Sequence, residues 1–256
     1  MRAPNWLYGI YEGRLRRELP PERLPKHVAV ILDGNRRWAK SVGTTPEHGW
    51  KRGADKITEL LTWSKDVGVE RVTLWMLSTD NLQRDPDQVR DLLGVIAGAV
   101  ETLALEPRWH IHCVGALELL PTEIAERLRA AEKWSNDAVQ EGALNVNVAI
   151  GYGGRHEITD AVRALLREKA EEGLTIEDVA DVLTVDDIAA NLYTAGQPDP
   201  DLVIRTSREQ RLSGFLLWQS VHSEYYFCDA YWPDFRRVDF LRALRAYGQR
   251  ERRMGK

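Results

Sequence analysis

Cysteine is nearly absent from the 256-residue chain: only Cys113 and Cys228 occur, far apart and in no paired motif. That excludes a disulfide scaffold and a cysteine-rich zinc site, and it fits a reducing, cytoplasmic setting. No apolar run approaches the roughly 20 residues that cross a bilayer. The opening stretch, MRAPNWLYGIYEGRLRREL, interrupts Leu7, Ile10, Tyr11 and Leu15 with Arg and Glu. It lacks the unbroken core of a signal peptide and reads as a surface helix, with at most a peripheral membrane contact. Positive charge is not in excess either. The formal net charge is −4, which argues against nucleic acid as a partner and makes any basic patch a local one.

What is present is a repeating alternation of two patterns. Apolar, β-rich runs fall at residues 27–32, 72–77, 111–115, 144–150 and 202–204, with a weaker one at 225–228. Between them lie stripes of helical period: Ile57, Leu60, Leu61 and Ser64; Val89, Leu92, Leu93, Ile96 and Val100; Ile124, Leu128 and Ala131; Ile158, Ala161, Val162 and Leu165. Continuous apolar strands separated by amphipathic helices predict a single α/β domain with a mostly parallel six-stranded sheet covered on both faces. The turn-rich TAGQPDPDL at residues 194–202 reads as a loop before a strand, because Pro198 and Pro200 exclude helix. Ligands of such folds collect beyond the carboxyl ends of the strands.

Three of those ends carry polar clusters. In VILDGNRRWAK, Gly34 permits a sharp turn, a helix opens behind it, and Arg36 and Arg37 stand beside Asp33. Asp33 is either a helix cap or a carboxylate joined to a bound phosphate through Mg²⁺, which takes one or two carboxylates plus phosphate oxygens. In LSTDNLQRDP, capping by Asp85, Pro86 and Asp87 accounts for most of the polarity and leaves Arg84 unexplained. The third stretch, residues 203–227, holds Arg205, Arg208, Arg211, Ser213 and Glu224. Three arginines so close together need counter-charge, from phosphate oxygens or from Glu209 and surface aspartates.

At this point the chain resembles the cis-prenyltransferases of the undecaprenyl diphosphate synthase type, and within them the short-chain bacterial Z-farnesyl diphosphate synthases. The resemblance runs over residues 27–255 and rests on DGNRRWA, LSTDNLQR, GYGGR, PDPDLVIRTS, EQRLSGFLLWQS, EYYF with WPDF, and RERRMG. It implies the family fold with an apolar tunnel, an N-terminal helical extension at 1–26 and a catalytic domain at 27–256. It implies condensation of isopentenyl diphosphate with an allylic diphosphate such as geranyl diphosphate. Asp33 and Glu224 would serve Mg²⁺; Asp33, Asn35, Ser78 and Asn81 would stand at the reacting groups. Gly34, Asn35, Arg36, Arg37, Trp38 and Arg84 would hold the allylic diphosphate, and Arg205, Arg211 and Ser213 the isopentenyl one. Arg253 and Gly255 match a motif that completes a partner subunit's site, which implies a homodimer.

Met76 stands where long-chain members carry a small residue, and the helix after it lacks their insertion, so a short product such as (2Z,6E)-farnesyl diphosphate is expected. A long-chain synthase and a non-catalytic partner subunit are the alternatives. The chain also departs from the family pattern. Arg208 replaces a glycine of the motif and is expected to block the isopentenyl site, lowering activity; Pro46 and Trp50 replace Arg and His; Leu82 replaces Trp. GYGGR is not a dinucleotide fingerprint, because His156 stands where the pattern needs glycine. His110 and His112 share a strand face without a second ligand pair, which favours packing over zinc.

Overall fold

The computed structural model describes residues 12–13 and 19–250, so most of the expected 1–26 extension, and both Arg253 and Gly255, lie outside the described residues. Six strands form one sheet: β1 His27–Ile31, β2 Arg71–Ser78, β3 Trp109–Val114, β4 Leu144–Tyr152, β5 Leu202–Arg205 and β6 Glu224–Phe227. Their order is β3-β4-β2-β1-β5-β6, and every pairing is parallel. The expected six strands are present, and the sheet is parallel throughout rather than mostly so. The helices are α1 Asn35–Ser41, α2 Pro46–Val67, α3 Pro86–Ala104, α4 Thr122–Ala138, α5 Gly154–Glu171, α6 Ile176–Val182, α7 Val185–Ala189 and α8 Arg237–Gly248.

Side chains of β1 alternate between two cores. Val28 and Val30 join the larger one with Ile57, Leu60, Leu61, Leu93 and Ile96 from α2 and α3. Ala29 and Ile31 join a smaller one with Ala149, Tyr152, Val203 and Phe215. Both faces of the strand are buried, which is why its sequence is continuously rather than alternately apolar. Helix starts follow local chemistry. The Thr45 hydroxyl accepts from the His48 amide ahead of Pro46, and the Asp85 carboxylate from the Gln88 amide ahead of Pro86.

β1 and β5 lie side by side, but the chain leaves β1 toward β2 on one side and β5 toward β6 on the other. That is a topological switch point, where the two departing connections open a crevice above the carboxyl ends. Asp33 follows β1 and Arg205 ends β5, so the crevice lies between them.

The opposite end of the sheet is held by a buried polar network. His27 Nδ1 donates to the Pro198 carbonyl at 2.8 Å, which leaves Nε2 to accept from the Thr73 hydroxyl at 2.7 Å. Asn147 joins Thr73 to Gln197, and Arg71 donates to both amide oxygens. Burial pushes the imidazole down to about 4 and the neighbouring Arg71 acts the same way, so it is neutral, against the opposing pull of the Pro198 bond and Asp201.

Candidate active site

The turn after β1 is built around a glycine. Gly34 has φ +105, and a Cβ there would lie 2.8 Å from the Tyr231 ring and 2.9 Å from Ser207 Cβ. Gly34, and not Asp33, caps α1, and it does so without a side-chain bond. The first turn of α1 is pressed into α2 at two further glycines: a Cβ on Gly49 would meet the Asn35 carbonyl at 2.5 Å, and one on Gly53 the Asn35 Oδ1 at 2.2 Å. Asn35 donates to the Leu32 carbonyl, while its Oδ1 is buried without a partner.

Freed from capping, Asp33 faces two guanidinium groups. Its Oδ1 accepts from Arg37 at 3.1 Å and its Oδ2 from Arg205 at 3.0 Å. Its amide is held by the Thr206 hydroxyl, which donates in turn to the Asp33 carbonyl. Burial acts to raise the carboxyl pKa, but the bond from Arg205 and the charge of Arg37 outweigh it and hold the group below the usual carboxylate range. Arg205 is itself buried, with only 5% of its side chain exposed. It donates to Ser213 Oγ at 2.7 Å and to the Arg211 carbonyl, and its Nε has no partner.

Glu209 bridges the next pair of cations, with one oxygen 2.8 Å from Arg37 and the other 2.5 Å from Arg211. Its loop is strained. Ser207, Arg208, Ser213 and Leu216 all have positive φ, and no other non-glycine among the described residues does. Left-handed backbone costs an ordinary residue about 1–2 kcal/mol, and such strain concentrates at functional sites.

These groups wall a cavity of about 580 Å³, shared with Arg36, Arg84, Ser78 and Asn81. Ser78 Oγ accepts from the Asn81 amide at 3.1 Å, so the capping and cavity roles coexist. Arg36 and Arg84 form no ion pair among the described residues. Burial, followed by the charge of Arg36, pushes the Arg84 guanidinium down. Five arginines (36, 37, 84, 205 and 211) thus face three carboxylates (Asp33, Asp80 and Glu209). The apolar lining comes from Trp50, Met76 and Leu92, which pack with the larger core, and from Trp75, which packs with the smaller one. A small apolar pocket of about 40 Å³ continues behind Met76, Trp50 and Leu92. Met76 is placed there by a break in register: Trp75 pairs with Ala149 and Leu77 with Ile150, leaving Met76 as the extra residue.

Several expectations need correction. Trp38 is not on the cavity wall; it stacks on His48 with ring centroids 5.9 Å apart. Arg208 does have the positive φ that a glycine position implies, but its side chain is 77% exposed and turns to Asp229 at 3.6 Å. It does not block the cavity. Glu224 begins β6 and pairs in register with Leu202, at the amino end of the sheet, where it meets Arg250. The fold of one chain therefore does not bring it to Asp33. His110 and His112 bind separate partners, Asn145 and Glu132. Glu118, His156 and Asp160 do converge, with ligand atoms within 4.8 Å of one another, but none lines the cavity.

Glu209, Asp80, Trp50 and Trp75 are wall residues that sequence reasoning did not assign to the site. Trp50 stands at a position noted only as a departure, and Glu209 only as a local counter-charge. GYGGR proves to be a packing device. Gly154 donates to the Gly214 carbonyl at 2.8 Å, and a Cβ on it would lie 2.7 Å from that oxygen, so the residue lets the 213–217 loop dock.

Fold and site together define an α/β protein with an anion cradle and an apolar wall at the sheet's switch point. The profile of the family described as "Putative undecaprenyl diphosphate synthase" matches residues 31–255. A "Short-chain Z-isoprenyl diphosphate synthase" of Mycobacterium leprae is 54% identical over 259 residues, spanning 100% of this chain and 98% of the relative. A "(2Z,6E)-farnesyl diphosphate synthase" of Thermobifida fusca is 55% identical over 256 residues, with the same coverage of both, 100% and 98%. Among solved structures, lavandulyl diphosphate synthase from Lavandula x intermedia in complex with dimethylallyl diphosphate matches with a TM-score of 0.83 at 32% identity, covering 92% of this chain and 100% of that one. The chain belongs to the undecaprenyl diphosphate synthase family of prenyltransferases.

Proposed function

We propose that this protein joins isopentenyl diphosphate to an allylic diphosphate of geranyl size and releases a short Z-isoprenyl diphosphate, (2Z,6E)-farnesyl diphosphate. The observation that carries this reading is the charge distribution at the switch point. Arg36 and Arg84 face the cavity and form no ion pair among the described residues, beside Arg37, Arg205 and Arg211 and with apolar lining from Trp50, Trp75, Met76 and Leu92. Two diphosphates held side by side repel, by roughly 4 kcal/mol for each pair of unit charges about 4 Å apart at an effective dielectric near 20. Only a concentration of cations offsets that.

Arg36, Arg37 and Arg84 take the allylic diphosphate, and Arg205, Arg211 and Ser213 the isopentenyl one. Asp33 fits a divalent cation, because its carboxyl is held ionised and faces the cavity; Mg²⁺ would be bound there together with phosphate oxygens. When bound, the cation neutralises charge gathering on the departing diphosphate. Arg36 and Arg84 add donors fixed in advance of the reaction, which favour the transition state over the ground state. Asn35, Ser78 and Asn81 orient the reacting carbons. In this reading the Met76 thioether, which lines the cavity beside a break in strand register, meets the end of the allylic tail and limits product length. Arg253 and Gly255 enter this reading as contributions to a neighbouring copy's site in a homodimer. The tail lies along the apolar side of the cavity, toward the small pocket behind Met76. No helix among the described residues is long and apolar enough to cross a membrane.

The test is incubation of the purified chain with geranyl and isopentenyl diphosphates and Mg²⁺, followed by product chromatography. A fifteen-carbon Z-product is expected; long polyprenyl products, or none, would overturn the assignment.

A further inference from the structure

Arg37 has no terminal donor left for a substrate. Nη1 donates to Glu209 at 2.8 Å and to the Ser207 carbonyl at 3.5 Å, and Nη2 to Asp33 at 3.1 Å and Ser207 Oγ at 2.7 Å. A phosphate reaching the face of Arg37 now covered by Glu209 must displace that carboxylate, because two anions cannot share the donor without like-charge repulsion. The other oxygen of Glu209 occupies Arg211. Among the described residues, Glu209 is the side chain with one oxygen on each of these two arginines.

Resting on the diphosphate reading above, we propose that Glu209 is a resident anion: substrate diphosphate evicts it from Arg37, and its return helps expel product pyrophosphate. Three features fit a movable side chain on a fixed backbone. The loop before it is anchored by the Ser207 amide to the Ala230 carbonyl at 2.7 Å and by the Arg208 amide to the Cys228 carbonyl at 3.1 Å. Ser207 and Arg208 hold left-handed conformations that fix where Glu209 emerges. The carboxylate lines the cavity and keeps 22% of its surface exposed, so rotation toward water is open to it. A site made only of unpaired arginines would grip pyrophosphate after the reaction; a tethered carboxylate competes for the same donors at high effective concentration.

The experiment compares the full chain with E209Q and E209D. Inorganic pyrophosphate is titrated directly in the presence of a chelator, and its product inhibition is measured during turnover. E209Q should bind pyrophosphate about tenfold more tightly, the size of one charge-assisted hydrogen bond, and be inhibited by it correspondingly. E209D, which keeps the charge, should stay near the parent, and thermal melting verifies that both variants fold. Unchanged or weaker pyrophosphate binding in folded E209Q would overturn the proposal and make Glu209 a group that merely orients its arginines. A parent chain that bound no pyrophosphate at all would overturn the diphosphate reading itself, and this proposal with it.

Discussion

Replacing Met76 with alanine tests the link between side-chain volume and product length. Met76 borders both the main cavity of about 580 Å³ and the apolar pocket of about 40 Å³ behind it. In that measure one water needs ~10–15 Å³, so the pocket holds a few waters at most and is too small for another isoprene unit while the thioether is in place. Removing the side chain joins the two spaces. Burying about five more carbons then contributes on the order of 4 kcal/mol, at roughly 0.8 per methylene. The opposing cost falls on the fold. A buried methionine cut to alanine loses about 2–5 kcal/mol, and half-buried Met76 belongs at the low end. Net stability remains positive on the usual scale of ~5–15 kcal/mol. The assay is chromatography of products from geranyl and isopentenyl diphosphates, with the urea midpoint measured on the same preparation. M76A should yield products at least one isoprene unit longer. A folded, active M76A whose products matched the parent's would refute the assignment of Met76 as the stop, and the length limit would then belong to Trp50 or Leu92.

Two further outcomes follow from the geometry. His27 should set an acid limit on stability: its folded pKa of about 4 lies below the unfolded 6.5, so the unfolded chain takes up the proton first. The stabilisation is complete above pH 6.5 and is lost as pH falls toward 4, by about 3 kcal/mol in all. Urea titrations across that range should show H27N, which has no such group, with a shallower pH slope than the parent; equal slopes would contradict the assignment. Arg208→Gly should leave kinetic constants for isopentenyl diphosphate within about twofold, because the side chain lies outside the cavity. Relief of a left-handed cost of about 1–2 kcal/mol is partly offset by ~0.5–1 kcal/mol of extra chain entropy. The melting temperature should therefore rise by no more than about 6 °C, and a tenfold gain in kcat/KM would restore the idea that Arg208 obstructs the site.

The sequence by itself determined the sheet and its covering layers, because a strand buried on both faces, such as 28–31, must be apolar at every position. It also determined where α3 begins, since Asp85 with Pro86 acts within a few residues of chain. The short helices α6 and α7 escaped notice: each rests on a local capping box, Thr175 with Asp178 and Thr184 with Asp187, and not on an apolar stripe. The residue types of the anion cradle were equally legible, as arginines and an aspartate at strand ends. Which arginine is paired and which is free was not. Asp33 and Arg205 are brought to 3.0 Å by the pairing of β1 with β5, while the register of β5 with β6 leaves Glu224 at the far end of the sheet. Met76 reaches the cavity through a break in strand register, and Glu209 joins Arg211 of its own loop to Arg37 of the distant α1. Charge–charge energies depend on separations across the chain, so only the tertiary structure decided which cations remain available to a ligand.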